Sequence, residues 1–366
     1  MRAIDLLREL VAFDTTSRNS NLALVRWACA QLEAAGARIR LTHDDAGEKS
    51  NVLASFGPEA PGGLLLSAHT DTVPVDGQPW TSDPFRLIER DGRLYGRGTA
   101  DMKGFVACCL AAAADWGRTP LARPIHLALT YDEEVGCFGV PKLIADLHAH
   151  VPKPALAIVG EPTLMRVADR HRGFLGFHTT FCGRAAHSSD PSKGVSAIAA
   201  AARLVGLIEE QNRREAAGVE RTTFNVGRIS GGTNINVVPS HCEVLWEIRP
   251  AADADIAGLR EVAAALIARA AKDTSTETRD IVSVPPLRPQ AHNPATDLAQ
   301  AMGAALPPTA VAFGTEGGFF QAAGIPTVIC GPGSIEQAHQ PDEWISLDQL
   351  GAAARFLERL GEWARV

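Results

Sequence analysis

Five times in this chain a Val/Leu/Ile/Ala-rich run gives way to an acidic or imidazole side chain, followed by Gly, Pro or polar turn residues. The five segments are His69-Thr70-Asp71, Asp101, Glu133-Glu134, Glu161 and His339. Continuous apolar runs of strand length read as strands buried on both faces, which a sheet flanked by helices requires. Strand signals fall at 37–43, 51–56, 63–69, Ile125–Tyr131, Leu156–Val159 and Ile325–Cys330. Helical signals lie at 2–13, 21–36, Gly104–Trp116, Val140–Leu147, 294–305 and 347–363. This alternation predicts an α/β sheet covered on both faces.

The texture changes after Arg170-His171-Arg172-Gly173. Phe174–Cys182, Thr222–Ile229, His241–Ile248 and 276–284 read as half-buried strands, with helices over Gly194–Gln211 and Asp255–Lys272. That β-α-β-β-α-β order predicts a split, ferredoxin-like α+β unit. The expected organisation is a discontinuous domain, 1–172 and 285–366, with a second domain at 173–284 inserted in it.

Composition narrows the function. A length of 366 residues suits two domains with large cores. The formal net charge of -7 and scattered Lys and Arg leave no basic footprint, so nucleic acid is not an expected partner. The N-terminal MRAIDLLRELVAF lacks the apolar h-region of a secretory signal and any membrane span, so a cytoplasmic protein without membrane association is expected. The seven cysteines (29, 108, 109, 137, 182, 242 and 330) show no CxxC spacing and read as buried free thiols of a reducing compartment.

The five polar segments point to chemistry only as a set. Alone, His69-Thr70-Asp71 reads as a surface turn, Asp101 as an acid favoured by a helix N-terminus, and Glu133-Glu134 as a solvated turn. Together, imidazole and carboxylate donors without cysteine suit zinc, cobalt or manganese acting on water, not a closed structural zinc. In open α/β sheets ligands bind at the carboxyl ends of strands, where all five segments are expected. His69 and Asp71 fall on one side of an extended chain, and a ligating histidine usually donates its other ring N–H to a carboxylate. A carboxylate such as Asp101 can bridge two cations held roughly 3.5–4 Å apart. Of two adjacent glutamates, one can ligate while the other handles protons.

The segments HTDTVP, GRGTADMKG, DEE, GEPT and GPGSIEQAHQPDE closely resemble those of the zinc aminoacylase/carboxypeptidase family, over essentially the whole chain. The resemblance implies a mixed-sheet, metallopeptidase-like catalytic domain and an inserted dimerisation or lid domain. It implies two divalent ions, Zn2+ first and Co2+ second. His69, Asp101 and Glu161 would hold one; Asp101, Glu134 and His339 would hold the other. Glu133 would be the general base and Asp71 the partner of His69. His187 resembles the family histidine that reaches a neighbouring subunit's site to stabilise an oxyanion, so a homodimer is expected. Asn236 and Arg249 resemble a clamp for a substrate carboxylate, for which the planar guanidinium is suited.

Within the family, the last segment and Gly314-Thr315-Glu316-Gly317 are most similar to the branch acting on N2-acetyl-L-ornithine, in arginine biosynthesis. Glu316 is expected either to pair with the substrate's side-chain ammonium or to hold a loop through backbone N–H groups. Acetylcitrulline, succinyl-diaminopimelate and C-terminal peptide substrates are the alternatives.

Overall fold

The computed structural model describes residues 2–214 and 221–366. These divide into two compact units. One comprises the chain up to Arg170 with Pro289–Val311 and Thr315–Val366; the other comprises His171–Arg288 with Ala312–Gly314.

The first unit is built on an eight-stranded mixed sheet. Its order is Arg38–His43, Ser50–Phe56, Ile125–Thr130, Leu64–His69, Leu156–Pro162, Thr327–Gly331, Arg166–His171 and Ala305–Val311. The four strands Ile125–Thr130, Leu64–His69, Leu156–Pro162 and Thr327–Gly331 run parallel, so their carboxyl ends share one edge. Every residue of these four strands is buried. Continuous apolar sequence is what such two-sided burial requires.

Helix Gly104–Trp116 has apolar residues all round and is buried along most of its length. It packs into one core with Arg2–Ala12, Leu22–Ala34 and Leu347–Arg365. The last of these is amphipathic, burying Leu350, Ala353, Phe356, Leu357, Leu360 and Ala364 at helical spacing. Close approach sets one glycine: a Cβ on Gly160 would lie 2.0 Å from the Phe105 ring, so the strand carrying Glu161 and helix Gly104–Trp116 can pack only if that position is bare.

The second unit is an antiparallel four-stranded sheet, ordered Thr223–Gly231, His241–Arg249, Phe174–Cys182 and Ser275–Val284. Helices Ala197–Arg214 and Ile256–Ala271 contribute to its core with Phe177, Phe181, Val244, Trp246 and Ile248. Strand His241–Arg249 alternates between buried and half-buried side chains, the pattern of a sheet with one wetter face.

Several elements depart from expectation. Ile88–Arg90, Arg93–Tyr95 and Trp344–Ser346 form a separate three-stranded sheet. Strands Arg166–His171 and Ala305–Val311 extend the large sheet. The second contains Pro307 and Pro308, which argue against a strand, but it is the edge strand, where a missing N–H is tolerated. Five of the seven free thiols are buried as expected, whereas Cys29 is half-buried and Cys182 exposed. Among the described residues no helix is long and apolar enough to cross a membrane.

Candidate metal centre

Backbone hydrogen bonds deliver the first polar pair. Strand Leu64–His69 ends at His69, and Thr70 N–H donates to the Thr130 carbonyl at 2.9 Å, locking it beside the neighbouring strand. His69 Nδ1 lies 2.9 Å from the main-chain oxygen of Asp71, whereas the Asp71 carboxylate is 3.7 Å away. The acceptor that orients the ring is therefore the carbonyl, not the expected carboxylate. The strand turns after Thr70, which brings that carbonyl under the imidazole. The Asp71 carboxylate instead accepts from Ser17 Oγ at 2.7 Å and from the backbone N–H groups of Glu133 and Glu134 at 3.1 and 3.3 Å.

With Nδ1 engaged, His69 Nε2 faces inward, 2.9 Å from Asp101 Oδ1 and 3.7 Å from Glu161 Oε1. The other oxygen of Asp101 lies 3.2 Å from His339 Nε2, and that nitrogen is 3.0 Å from Glu134 Oε2. Asp101 thus sits between two imidazoles. Ligand atoms of His69, Glu133 and Glu161 lie within 4.8 Å of one another, as do those of His69, Asp101 and Glu134. His69, Asp101 and Glu161 are buried, while His339 stands on the exposed side with left-handed backbone, φ 62°.

Asp101 corrects one expectation. It does not end a long buried strand but lies in the turn Thr99–Lys103 that leads into helix Gly104–Trp116, after the three-residue strand Arg93–Tyr95. Gly98, at φ 81°, begins that turn. Glu343, for which the sequence suggested no role, holds the turn in place. Its Oε1 accepts from the N–H groups of Ala100 and Asp101 at 2.9 and 3.0 Å, and its Oε2 from Gly98 N–H at 3.0 Å and Arg97 Nη1 at 2.7 Å. The only available signal was an acidic residue four positions after His339 in a Gly/Pro loop.

The electrostatics are those of carboxylates crowded in a dry site. Burial pushes Glu133 and Glu161 well above the ordinary carboxyl range, with the charge of Asp101 adding to both. Burial and the Asp101 charge bring Glu134 to about 7. Hydrogen bonds from His339 and His69 outweigh burial at Asp101 and hold it below the usual range. Contacts with Asp101 and Glu134 raise His339 to about 10. Burial opposes protonation of His69, yet the bond to Asp101 and the charges of Glu161, Asp101 and Glu133 raise it well above its usual value.

Four carboxylates around two imidazoles, largely desolvated and repelling one another, form a donor set that fits divalent cations. Nitrogen and oxygen donors without sulfur match zinc, cobalt or manganese. His69, Asp101, Glu133, Glu134, Glu161 and His339 are the residues that could hold such an ion.

Glu316 is 1% exposed and accepts from Ser67 Oγ at 2.7 Å, leaving Oε1 buried without a hydrogen-bond partner. Ser67 points inward from the fully buried strand and captures the carboxylate, an arrangement that sequence order does not reveal.

The remaining predicted residues belong to the second unit. His187 pairs in register with Val237 in a two-residue ribbon, and Ser188 N–H donates to the Asn236 carbonyl at 3.0 Å, so His187 and Asn236 are neighbours. His187 is exposed, and its Nδ1 lies 2.8 Å from Ser189 Oγ and 3.2 Å from the Ser189 amide nitrogen. Arg249 stacks on Phe174, 3.6 Å from its ring centroid, and pairs with Glu247 at 3.1 Å.

Comparison with known proteins adds to this geometry. The family model for peptidase family M20/M25/M40 matches residues 65–362. Acetylornithine deacetylase of Pasteurella multocida is 34% identical over 358 residues, covering 95% of this chain and 91% of the relative. Acetylornithine deacetylase of Photorhabdus laumondii is 35% identical over 374 residues, covering 98% and 96%. In fold, an M20 family metallo-carboxypeptidase from Sulfolobus solfataricus superposes with a TM-score of 0.79 at 18% identity, covering 99% of each chain. A dinuclear metal-binding M20 peptidase from Bacillus subtilis gives 0.69 at 16% identity, covering 100% of this chain and 98% of its own.

Proposed function

This chain belongs to peptidase family M20/M25/M40, and from that premise we propose that it is a two-metal amidohydrolase removing the acetyl group of N2-acetyl-L-ornithine. The products are L-ornithine and acetate, and the cellular setting that accompanies this reading is a cytoplasmic homodimer serving arginine biosynthesis. The observation that carries the hydrolytic reading is Asp101, whose two oxygens lie 2.9 and 3.2 Å from the Nε2 atoms of His69 and His339. The substrate is supported by relatives at 34–35% identity that act, by name, on acetylornithine.

Divalent cations in this site would polarise the acyl oxygen and lower the pKa of the attacking water. Glu133 takes one proton from that water at a carboxylate oxygen while the new C–O bond forms and the carbonyl opens. It then delivers the proton to the amide nitrogen, the C–N bond breaks, and the acetic acid formed gives its proton to the amine, so acetate and ammonium separate. Asp71 fixes this base through the Glu133 N–H, and the Cys137 thiol lies 3.5 Å from Glu133 Oε1. In the proposed homodimer, His187 of the neighbouring subunit would donate a ring N–H to the developing oxyanion, and Asn236 with Arg249 would hold the substrate carboxylate.

A panel of purified acyl amino acids tests the assignment. Acetylornithine should give the highest kcat/KM among acetylornithine, acetylcitrulline, acetylmethionine, succinyl-diaminopimelate and dipeptides. Preference for another acyl amino acid would move the substrate; release of amino acids from dipeptides would move the activity to a peptidase.

A further inference from the structure

The turn carrying Asp101 and the loop carrying His339 come from distant parts of the chain, yet one buried ion pair touches both. Arg97 and Glu343 are each 1% exposed and 2.7 Å apart. On one side, Glu343 accepts three backbone N–H groups of the turn Gly98–Asp101. On the other, Arg97 Nη2 donates to Gln78 Oε1 at 2.6 Å, and Gln78 Nε2 donates to the His339 carbonyl at 3.0 Å. Trp80 Nε1 shares the same Gln78 oxygen at 3.0 Å, with the Arg97 guanidinium 5.1 Å from the Trp80 ring centroid. Asp342 Oδ1 ties the loop again, accepting from Thr81 N–H at 2.9 Å.

We propose that the Arg97–Glu343 pair is a brace that sets the distance between Asp101 and His339, and so controls one cation site more strongly than the other. The inference rests on the two-metal reading above. Of the donors Asp101, Glu134 and His339, two lie on segments the brace holds. Of the donors His69, Asp101 and Glu161, only Asp101 does, since His69 and Glu161 are fixed by buried strands. Both Glu343 oxygens are fully used as acceptors, two N–H donors each. An amide in that place would set its NH2 against two N–H donors, releasing one half of the turn. Arg97 and Glu343 are positioning residues: neither reaches the reacting atoms.

Cobalt titration of the metal-free, full-length protein, followed by visible absorption and calorimetry, tests this without turnover. Wild-type protein should bind two equivalents. Glu343→Gln should weaken one equivalent about 10–100-fold, the range for groups that orient metal ligands, and leave the other nearly unchanged. Gln78→Ala, a gentler cut in the same brace, should show the same asymmetry, more weakly, and serves if Glu343→Gln does not fold. In a His339→Ala background, Glu343→Gln should have much less further effect, whereas a merely structural role would act independently of that background. Equal weakening of both equivalents, unchanged binding, or full additivity with His339→Ala would each overturn the brace. Uptake of fewer than two equivalents by wild-type protein is a different failure, and would remove the two-metal reading itself.

Discussion

In the eight-stranded sheet, Leu64–His69, Ile125–Thr130, Leu156–Pro162 and Thr327–Gly331 are buried at every residue, and polar groups are confined mostly to their ends. In the four-stranded sheet, His241–Arg249 alternates and the edge strand Ser275–Val284 is exposed over most of its length. The two sheets place charge in different dielectrics. Acids at the end of a fully buried strand are desolvated and feel one another strongly, as Glu133, Glu134 and Glu161 do. Charges on the wetter sheet, such as the Glu277–Arg279 pair at 3.3 Å with both side chains largely exposed, are screened by solvent. Desolvated, mutually repelling acids therefore belong to the first sheet.

The strongest test of that contrast removes a proton acceptor. Glu133→Gln keeps the size of the side chain and should lower kcat on the order of 10²–10⁴-fold. Metal content by atomic absorption should stay at the wild-type level. Near wild-type turnover would exclude Glu133 as the base.

Stability should divide in the same way. Leu66 is fully buried in the central strand, so Leu66→Ala should destabilise by about 2–5 kcal/mol in denaturant unfolding. Glu277→Ala, which breaks an exposed pair, should stay within about 0.5 kcal/mol. Comparable losses at the two positions would erase the distinction between the sheets.

A smaller effect sharpens the comparison through pH. Glu134 is raised to about 7 in the folded metal-free protein, so between its unfolded value and 7 the folded state holds more protons, and stability falls as pH rises. His339, raised to about 10, adds stability that is complete below its unfolded pKa and is lost as pH climbs towards 10. Both signs agree. The metal-free protein should melt a few degrees lower at about pH 8.5 than at about pH 5.5, and divalent cations should reverse the trend by binding the folded state. A melting temperature that rises over this range without metal would contradict the electrostatics of the cluster.

Much of the first unit was legible because each of its signals is local. The run GLLLSAH reads as a buried strand from its short, Leu-rich length, and Gly104–Trp116 reads as a helix from its longer run of small and apolar residues. The edge strand Ala305–Val311 was not legible: its prolines speak against a strand until its place at the sheet edge is known. Glu316 is a second case. Its sequence neighbours suggest a substrate contact, and the inward hydroxyl of Ser67 that holds the carboxylate is a contact no local pattern records.

The sequence by itself determined the alternation of strand and helix, the donor types at the strand ends and the family to which the chain belongs, because those follow from periodicity, side-chain chemistry and motif spacing. Tertiary structure alone decided that Glu343 grips the Asp101 turn, that the Asp71 carbonyl and not its carboxylate orients His69, and that Arg97 links two distant loops. Those contacts join residues through hydrogen bonds whose partners are chosen by folded geometry. In the case of Arg97 and Glu343, 246 positions of chain separate the two charges, and no local pattern records the distance.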